Sequence, residues 1–428
     1  RVVATRFLEG STLKDRLEQS DRCTRSQRSA MLSAVGKLVH RFHAAGYIHR
    51  DLHWGNILIT KSGPVLLDLQ SALPTTIAFA RRRDLGDLDY SVAPRLPISD
   101  RTRLRAAALG IEGPFGPAER RALRSIGEAS LASGRAHAAS RTRRTLRPGR
   151  QYAPIRLGLD RGFRRREVSE REVAIALAAR DAAVGDAGCQ ILKSDARAQV
   201  TAVSASSLSW IVKDYRAGGW LRRVADLFRG SPARRAWLGG HGLLARGIGT
   251  ALPVAFVERR RFGIPVASAI VLEDLQGLET AESCATDRTD EREILTAVSR
   301  LAIGLHRRGA IHGDLKASHV LLEREANRVN GRLNDLEGVR FRRRLSDRAR
   351  IHALAQLNAS LPDHISDAER LRAFRRYAAA VPFRGDPQRC LREIVALSIA
   401  RQHHWTGKGC ALAQSRPTAP ASSGVSER

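Results

Sequence analysis

Gly46-Tyr47-Ile48-His49-Arg50-Asp51-Leu52-His53-Trp54-Gly55-Asn56-Ile57-Leu58, followed by Val65-Leu66-Leu67-Asp68-Leu69-Gln70, decides how this 428-residue chain is read. A histidine, an aspartate two residues on and an asparagine five beyond that are closed by an apolar run, and a second aspartate follows. The spacing predicts a polar loop between a helix and a β-hairpin, with Asp68 at the hairpin's end. The pattern then recurs. Gly309-Ala310-Ile311-His312-Gly313-Asp314-Leu315-Lys316-Ala317-Ser318-His319-Val320-Leu321 leads into Arg332-Leu333-Asn334-Asp335-Leu336-Glu337-Gly338. An arrangement met twice, each time with an amphipathic helix ahead and an apolar strand behind, predicts two copies of one catalytic half rather than two chance turns.

Such a loop suits phosphoryl transfer, whose loose transition state asks the protein for positioning and neutralised charge. Asp51 and Asp314 would each orient an acceptor hydroxyl and accept its proton. Asn56 with Asp68, and His319 with Asp335, are the candidate metal ligands, hard oxygen donors being what Mg2+ prefers. His49 and His312 are expected to brace the loop backbone. His319 stands where the first copy has Asn56, and imidazole is a poorer magnesium ligand than an amide oxygen.

Composition bounds the partners. Lysine and arginine total 73 against 43 acidic residues, a net charge of +30, which predicts an anionic partner: phosphorylated lipid, an anionic membrane surface, a nucleotide or nucleic acid. A GC-rich genome inflates arginine too, and has equal weight as an explanation. The five cysteines are scattered without C-x-x-C spacing, as expected of reduced thiols in a cytoplasmic compartment. No apolar run reaches the length of a membrane span and no signal peptide is seen. The chain begins with Arg1 and is expected to be a fragment.

Ahead of the first loop, Val2 to Gly10 is predicted as a short strand, Ser11 to Leu17 as a helix start, and Met31, Val35, Leu38 and Phe42 as one apolar helical face. The 50 residues before Asp51 are too few for a nucleotide-gripping N-lobe plus this helical region. Residues 1–150 are therefore read as the helical C-lobe of a first copy without its N-lobe. Asp84, on a helix over 81–89, can hold the loop backbone in shape. The arginine cluster 141–150 ends the unit at Pro148-Gly149.

The second unit, 151–405, reads as complete, with an N-lobe over about 151–272 and a C-lobe over about 278–405. Gln190 to Val203 reads as strand, turn and strand. Trp210-Ile211-Val212-Lys213-Asp214-Tyr215 is a strand whose Lys213 matches the lysine that pairs with nucleotide phosphates. The helix Pro232 to Leu244 has no acidic residue, so the usual lysine–glutamate pair lacks a partner there, with Glu258 a distant candidate. Ser268 to Gly277 is the hinge between lobes, with Glu273 a candidate for cofactor binding. Leu295, Val298, Leu301 and Leu305 form the apolar face leading into the second loop. Residues 406–428 are expected to be a disordered tail.

With these residues in hand, the chain resembles the bacterial lipopolysaccharide core kinases, the Kdo and heptose kinase family. The resemblance rests on Trp210-Ile211-Val212-Lys213, Ser231-Pro232-Ala233-Arg234-Arg235-Ala236-Trp237, Gly247-Ile248, Glu273 and both loops. It implies a protein-kinase-like fold, and with the repeated loop the expected architecture is α+β, that fold in tandem, an N-terminally truncated first copy followed by a complete two-lobed copy. It also implies ATP and Mg2+ as cofactors and a sugar hydroxyl on a lipid-linked glycan as acceptor. The expected place of work is the cytoplasmic face of the inner membrane, as a peripheral protein.

Departures from the family pattern fall mainly in the second copy: His319, Ala353 at the position aligned with Asp84, and no glycines around Ser194-Asp195-Ala196-Arg197. The first copy is accordingly expected to be the active one. His53 of His53-x-Gly55-Asn56 resembles small-molecule phosphotransferases and Lys316 resembles protein Ser/Thr kinases, so both stand as candidate cofactor-binding residues and the acceptor class stays open. A pseudokinase pair that binds anionic lipid or nucleic acid through its arginines is the alternative from another class. No zinc-ligand spacing or recognition motif supports sequence-specific nucleic-acid reading, and the sequence does not fix an oligomeric state.

Overall fold

The computed structural model describes residues 7–19, 24–178, 189–205, 208–216, 218–285, 291–325 and 328–401. These form two compact units, divided between His137 and Ala138.

Unit 1 runs β1 (Ser11–Thr12), α1 (Leu13–Glu18), α2 (Arg25–Ala44), β2 (Tyr47–Ile48), β3 (Ile57–Thr60), β4 (Gly63–Leu66), β5 (Leu73–Pro74), α3 (Ala78–Val92) and α4 (Ile98–Leu109). Helix α5 (Pro117–Arg144) carries the chain into the second unit. Helices α1 and α2 start where side chains satisfy orphan backbone donors: Thr12 with Asp15, and Thr24 with Gln27, form reciprocal capping boxes. Leu13, Leu17, Leu32, Val35, Val39, Leu52, Ile57, Leu85 and Leu88 make the core.

The buried face of α2 is Leu32, Val35, Gly36, Val39 and His43, one position round from the predicted Met31, Val35, Leu38 and Phe42. The cause is Gly36, which lets α4 approach so closely that a Cβ there would meet the Ala107 Cβ at 2.5 Å. Of the predicted strand over 2–10, residues 2–6 lie outside the described residues and 7–10 are irregular. The pairing strand is β1, with Ser11 opposite Ile59 and Thr12 opposite Leu58.

Unit 2 begins with β6 (Tyr152–Leu157), β7 (Asp160–Arg165), α6 (Glu170–Ala178), β8 (Cys189–Ser194), β9 (Ala198–Ala205), β10 (Leu208–Tyr215), α7 (Trp220–Arg229), α8 (Pro232–Leu244), β11 (Pro253–Arg261) and β12 (Ile264–Glu273). Its strands make one seven-stranded sheet in the order β6-β7-β11-β12-β10-β9-β8. Then follow β13 (Glu279–Thr280), α9 (Ala281–Cys284), α10 (Glu291–Arg307), β14 (Ala310–His312), β15 (Val320–Glu325), β16 (Arg328–Leu333), β17 (Val339–Phe341), α11 (Asp347–Ala359), α12 (Asp367–Ala380) and α13 (Pro387–Ile399).

Period-two alternation divides β10 between two cores. Trp210 and Val212 pack with Ile155, Val173 and Val257 on one face, while Ile211 and Tyr215 join the larger core with Trp237, Leu301 and Leu336 on the other. Lys213 therefore shares the second face. Trp237 is fully buried on α8, and its indole Nε1 donates to Thr145 Oγ1 at 3.1 Å. On α10 the predicted Leu295, Val298, Leu301 and Leu305 are all buried. Among the described residues no helix is long and apolar enough to cross a membrane. The expected tail, 406–428, lies outside the described residues.

Candidate active site

In unit 1 the loop between β2 and β3 is held from α3. Buried Asp84 accepts the His49 N–H and the Arg50 N–H, each at 2.9 Å, and stands 3.0 Å from His43 Nε2. Arg50 adopts a left-handed backbone, φ 66°, which costs a non-glycine residue roughly 1–2 kcal/mol. His49 Nε2 donates to the Leu67 carbonyl at 2.7 Å, bracing the loop against the end of the hairpin. Asn56 Nδ2 donates to the Asp51 carbonyl at 3.0 Å, which leaves its amide oxygen as the atom available to a cation. Asp51 is exposed, with His53 Nε2 at 3.8 Å, and the other His53 nitrogen accepts from the Gly55 N–H. Asp68 is exposed and left-handed, φ 57°.

Unit 2 repeats some of these bonds and replaces others. His312 Nε2 donates to the Asp335 carbonyl at 2.6 Å, and its Nδ1 accepts the Asp314 N–H at 3.2 Å. His319 Nδ1 donates to the Asp314 carbonyl at 2.8 Å, the bond that Asn56 makes in unit 1. Asp335 is left-handed at φ 58°, as Asp68 is. The Ala317 N–H donates to Ser360 Oγ at 2.7 Å, as the Trp54 N–H donates to Ser91 Oγ at 3.1 Å. This serine pair sets α3 against α11 and makes Ala353 the counterpart of Asp84. Ala353 is buried and offers no acceptor. Gln356, one turn further along α11, accepts the Leu315 N–H and donates to the Gly313 carbonyl instead.

Lys213 is the residue that distinguishes unit 2. Its Nζ lies 2.5 Å from Asp335 Oδ1 and 2.9 and 3.0 Å from the two Glu337 carboxylate oxygens. Tyr215, two residues along the same strand face, donates its hydroxyl to Glu337 Oε2 at 3.0 Å. The expected candidate partner Glu258 is incorrect: it sits on β11 and accepts from Arg260 at 2.7 Å. Glu337 fills the place because α8 has no side chain in the way. A Cβ on Gly239 would meet the Leu336 carbonyl oxygen at 2.4 Å, so the turn after Asp335 packs directly on the helix backbone. The sequence signal for this was Asp335-Leu336-Glu337-Gly338 itself, an acid two residues after the expected ligand.

The charges respond to this packing. Burial opposes ionisation of Asp335, but the Lys213 ammonium and the hydrogen bonds from Lys213 and Glu337 outweigh it and hold the carboxyl far below the usual range. Burial pushes Glu337 up, with the Asp335 charge adding and Lys213 opposing. Burial pulls Lys213 down, yet the two carboxylates more than compensate and its pKa is raised. The Tyr215 hydroxyl is driven well above its ordinary value by burial and by the adjacent acids.

The remaining expected residues divide. Lys316 Nζ lies 2.8 Å from Asp314 Oδ2, beside the candidate base. Glu273 ends β12, where its N–H donates to the Leu252 carbonyl and its carboxylate accepts the Leu252 N–H; it takes no part in the Lys213 cluster. His312, His319 and Asp335 offer ligand atoms within 4.8 Å of one another. Both His312 nitrogens are already bonded, so the donors free for a cation are His319 Nε2 and Asp335, which stand 4.0 Å apart.

A paired lysine and two acids beneath a β-sheet, beside a loop carrying an aspartate on a braced backbone, define a mixed α/β protein of kinase-like fold. A profile of the family described as "Lipopolysaccharide kinase (Kdo/WaaP) family" matches residues 2–107 and 201–377, more than half of the chain. The chain belongs to that family, whose members are kinases, an activity that implies ATP use.

The 3-deoxy-D-manno-octulosonic acid kinase of Xylella fastidiosa strain 9a5c is 29% identical over 133 residues, 28% of this chain and 50% of that protein. The enzyme of the same name from strain M23 is 31% identical over 134 residues, with the same coverage. The chain thus spans about half the length of the curated relatives it matches. Human serine/threonine-protein kinase PAK 4 is 35% identical over 95 residues, 22% of this chain and 16% of that protein. A solved structure titled "WaaP in complex with acyl carrier protein" covers 50% of this chain and 86% of its own, at 24% identity and a TM-score of 0.36.

Proposed function

We propose that the chain is a tandem kinase-like phosphotransferase whose second unit grips ATP with a divalent cation and passes the γ-phosphoryl to a sugar hydroxyl of a lipopolysaccharide core or related lipid-linked glycan. The observation that carries this reading is Lys213 Nζ held within 3.0 Å of both Asp335 and Glu337. Lys213 would meet nucleotide phosphates, with Glu337 fixing its position. Asp314 would orient the acceptor hydroxyl and take its proton, with Lys316 beside it to offset developing charge. A divalent cation, when bound, neutralises the phosphate oxygens, and Asp335 with His319 would hold it. One carboxylate and one imidazole suit Mn2+ at least as well as Mg2+.

Two bonds common to the two loops support the duplication. In unit 1, Asp51 would serve as base and Asn56 with Asp68 as metal ligands, but among its described residues no lysine stands over them. Lys213 with Asp335 and Glu337 supports unit 2 as a working copy, the reverse of what the departures at His319 and Ala353 suggest. Peripheral contact with an anionic membrane surface follows from a lipid-linked acceptor and the net charge of +30.

The test is ATP binding by thermal shift, with Mg2+ and with Mn2+, on the chain and on Lys213→Ala. A cation-dependent rise of several degrees that disappears in the variant is expected. No rise with either cation would overturn the reading and leave a nucleotide-free binding module.

A further inference from the structure

Helix α7, Trp220-Leu221-Arg222-Arg223-Val224-Ala225-Asp226-Leu227-Phe228-Arg229, is turned inside out. At about 100° per residue, positions 220, 224, 227 and 228 share one arc of roughly 100°. All four are solvent-exposed: Trp220 at 72%, Val224 at 43%, Leu227 at 42% and Phe228 at 84%. Among the described side chains of the helix, Ala225 and Asp226 are half-buried. Asp226 Oδ1 accepts from Arg235 Nη1 of α8 at 2.5 Å, and the same guanidinium nitrogen donates to the Gly230 carbonyl at 2.7 Å. A helix that packs for its own stability buries its apolar stripe, as α10 does; this one ties its acid to the protein and leaves two large aromatics in water.

We propose that α7 is a membrane-docking helix that lies in the surface of an anionic bilayer with Trp220, Val224, Leu227 and Phe228 inserted among the acyl chains. The choice of a lipid surface over a protein groove rests on charge and side-chain type. The ten residues carry three arginines against one acid, and that acid is neutralised by Arg235, so the helix meets its partner strongly positive. Exposed Trp and Phe on one arc of an arginine-rich helix is the composition of interfacial helices, whose binding combines apolar insertion with attraction to anionic headgroups. Gly218-Gly219 before the helix and Gly230 after it, the last at φ 81°, bracket the segment with permissive backbone while its other face rests on β12. The proposal rests on the reading of peripheral membrane contact and assigns that contact a surface.

Co-sedimentation of the full chain with phosphatidylcholine vesicles, alone or mixed with phosphatidylglycerol, tests it. Binding is expected to the mixed vesicles, at least tenfold weaker to the neutral ones, and to fall at least tenfold for Trp220→Ser/Phe228→Ser. The Arg229→Glu variant should lose a few-fold. Both altered side-chain positions are exposed, so the melting temperature of the double variant should stay that of the parent, which a thermal scan checks. A parent that binds no vesicle overturns the peripheral reading and the helix assignment together. A parent that binds while the double variant binds equally well overturns the assignment of α7 alone. Self-association by light scattering that the double variant abolishes, without vesicle binding, would make the face a homotypic contact and overturn the lipid proposal. None of these readouts uses nucleotide, so the phosphotransfer reading is judged separately by the thermal shift with ATP.

Discussion

The two loops share two bonds, from Asn56 and His319 to an aspartate carbonyl and from the Trp54 and Ala317 N–H groups to a serine, and differ in what braces them and in what stands over them. In unit 1 the exposed Asp51 and Asp68 carry no ion pair to lysine or arginine among the described residues, and the loop hangs from Asp84. In unit 2 the same loop lies against Lys213 and Glu337, and the strongest charge shifts in that site belong to this cluster. Loop geometry alone therefore does not make a charged site. The sheet strand that delivers a lysine does, together with an acid where unit 1 has Gln70.

The largest effect should come from the candidate bases. Asp314→Asn is expected to lower phosphotransfer by about 10²–10⁴-fold, the usual worth of a general base, while Asp51→Asn changes it less than about twofold; the reverse pattern would return activity to unit 1.

Acid should then act on unit 2. Burial drives both His241 and His306 down to about 3 from an ordinary 6.5. The unfolded chain takes up these protons first, so the stability they contribute is complete above pH 6.5 and drains away as pH falls towards 3. By pH 5 each histidine should have removed roughly 2 kcal/mol. Urea unfolding at pH 7 and pH 5 measures it, and a pH-independent midpoint would contradict it.

Glu337→Gln gives unit 2 the residue of unit 1. Nucleotide affinity should drop about tenfold, ~1.4 kcal/mol, whereas Gln70→Glu should leave binding unchanged because no lysine faces it. Titration calorimetry on the pair reads both. The smallest effect belongs to Arg50→Gly, which relieves the left-handed backbone and should raise the stability of unit 1 by no more than about 1 kcal/mol. A thermal melt that instead falls by several degrees would mean the Arg50 side chain holds the loop.

Much of this was legible in the sequence where a local signal existed. Ser231-Pro232 opens α8 and its predicted span, Pro232–Leu244, is the one observed, because an N-cap serine followed by proline is a start signal independent of tertiary context. The alternation in Trp210 to Tyr215 placed Lys213 on a strand. What escaped depends on close approach between distant segments. Glu337 meets Lys213 across 124 residues only because Gly239 admits the turn. The face of α2 shifted because Gly36 sets the crossing with α4. The loop brace moved from the position of Asp84 to Gln356, a turn further along α11, where it holds the Leu315 N–H and the Gly313 carbonyl rather than the counterparts of the His49 and Arg50 N–H groups. Glycine contacts and side-chain reach leave no periodicity to read.

In protein kinases the acid that holds the strand lysine rides on a mobile helix, and swinging that helix outward disengages it. Here the acid is two residues from Asp335 on one short turn, wedged against the glycine face of α8. In the second unit the two move as one: displacing α8 would unseat Asp335 and the carboxylate that holds Lys213 together. Compounds that quiet kinases by pushing the helix aside should find no intermediate resting position in this protein, only an intact site or a dismantled one.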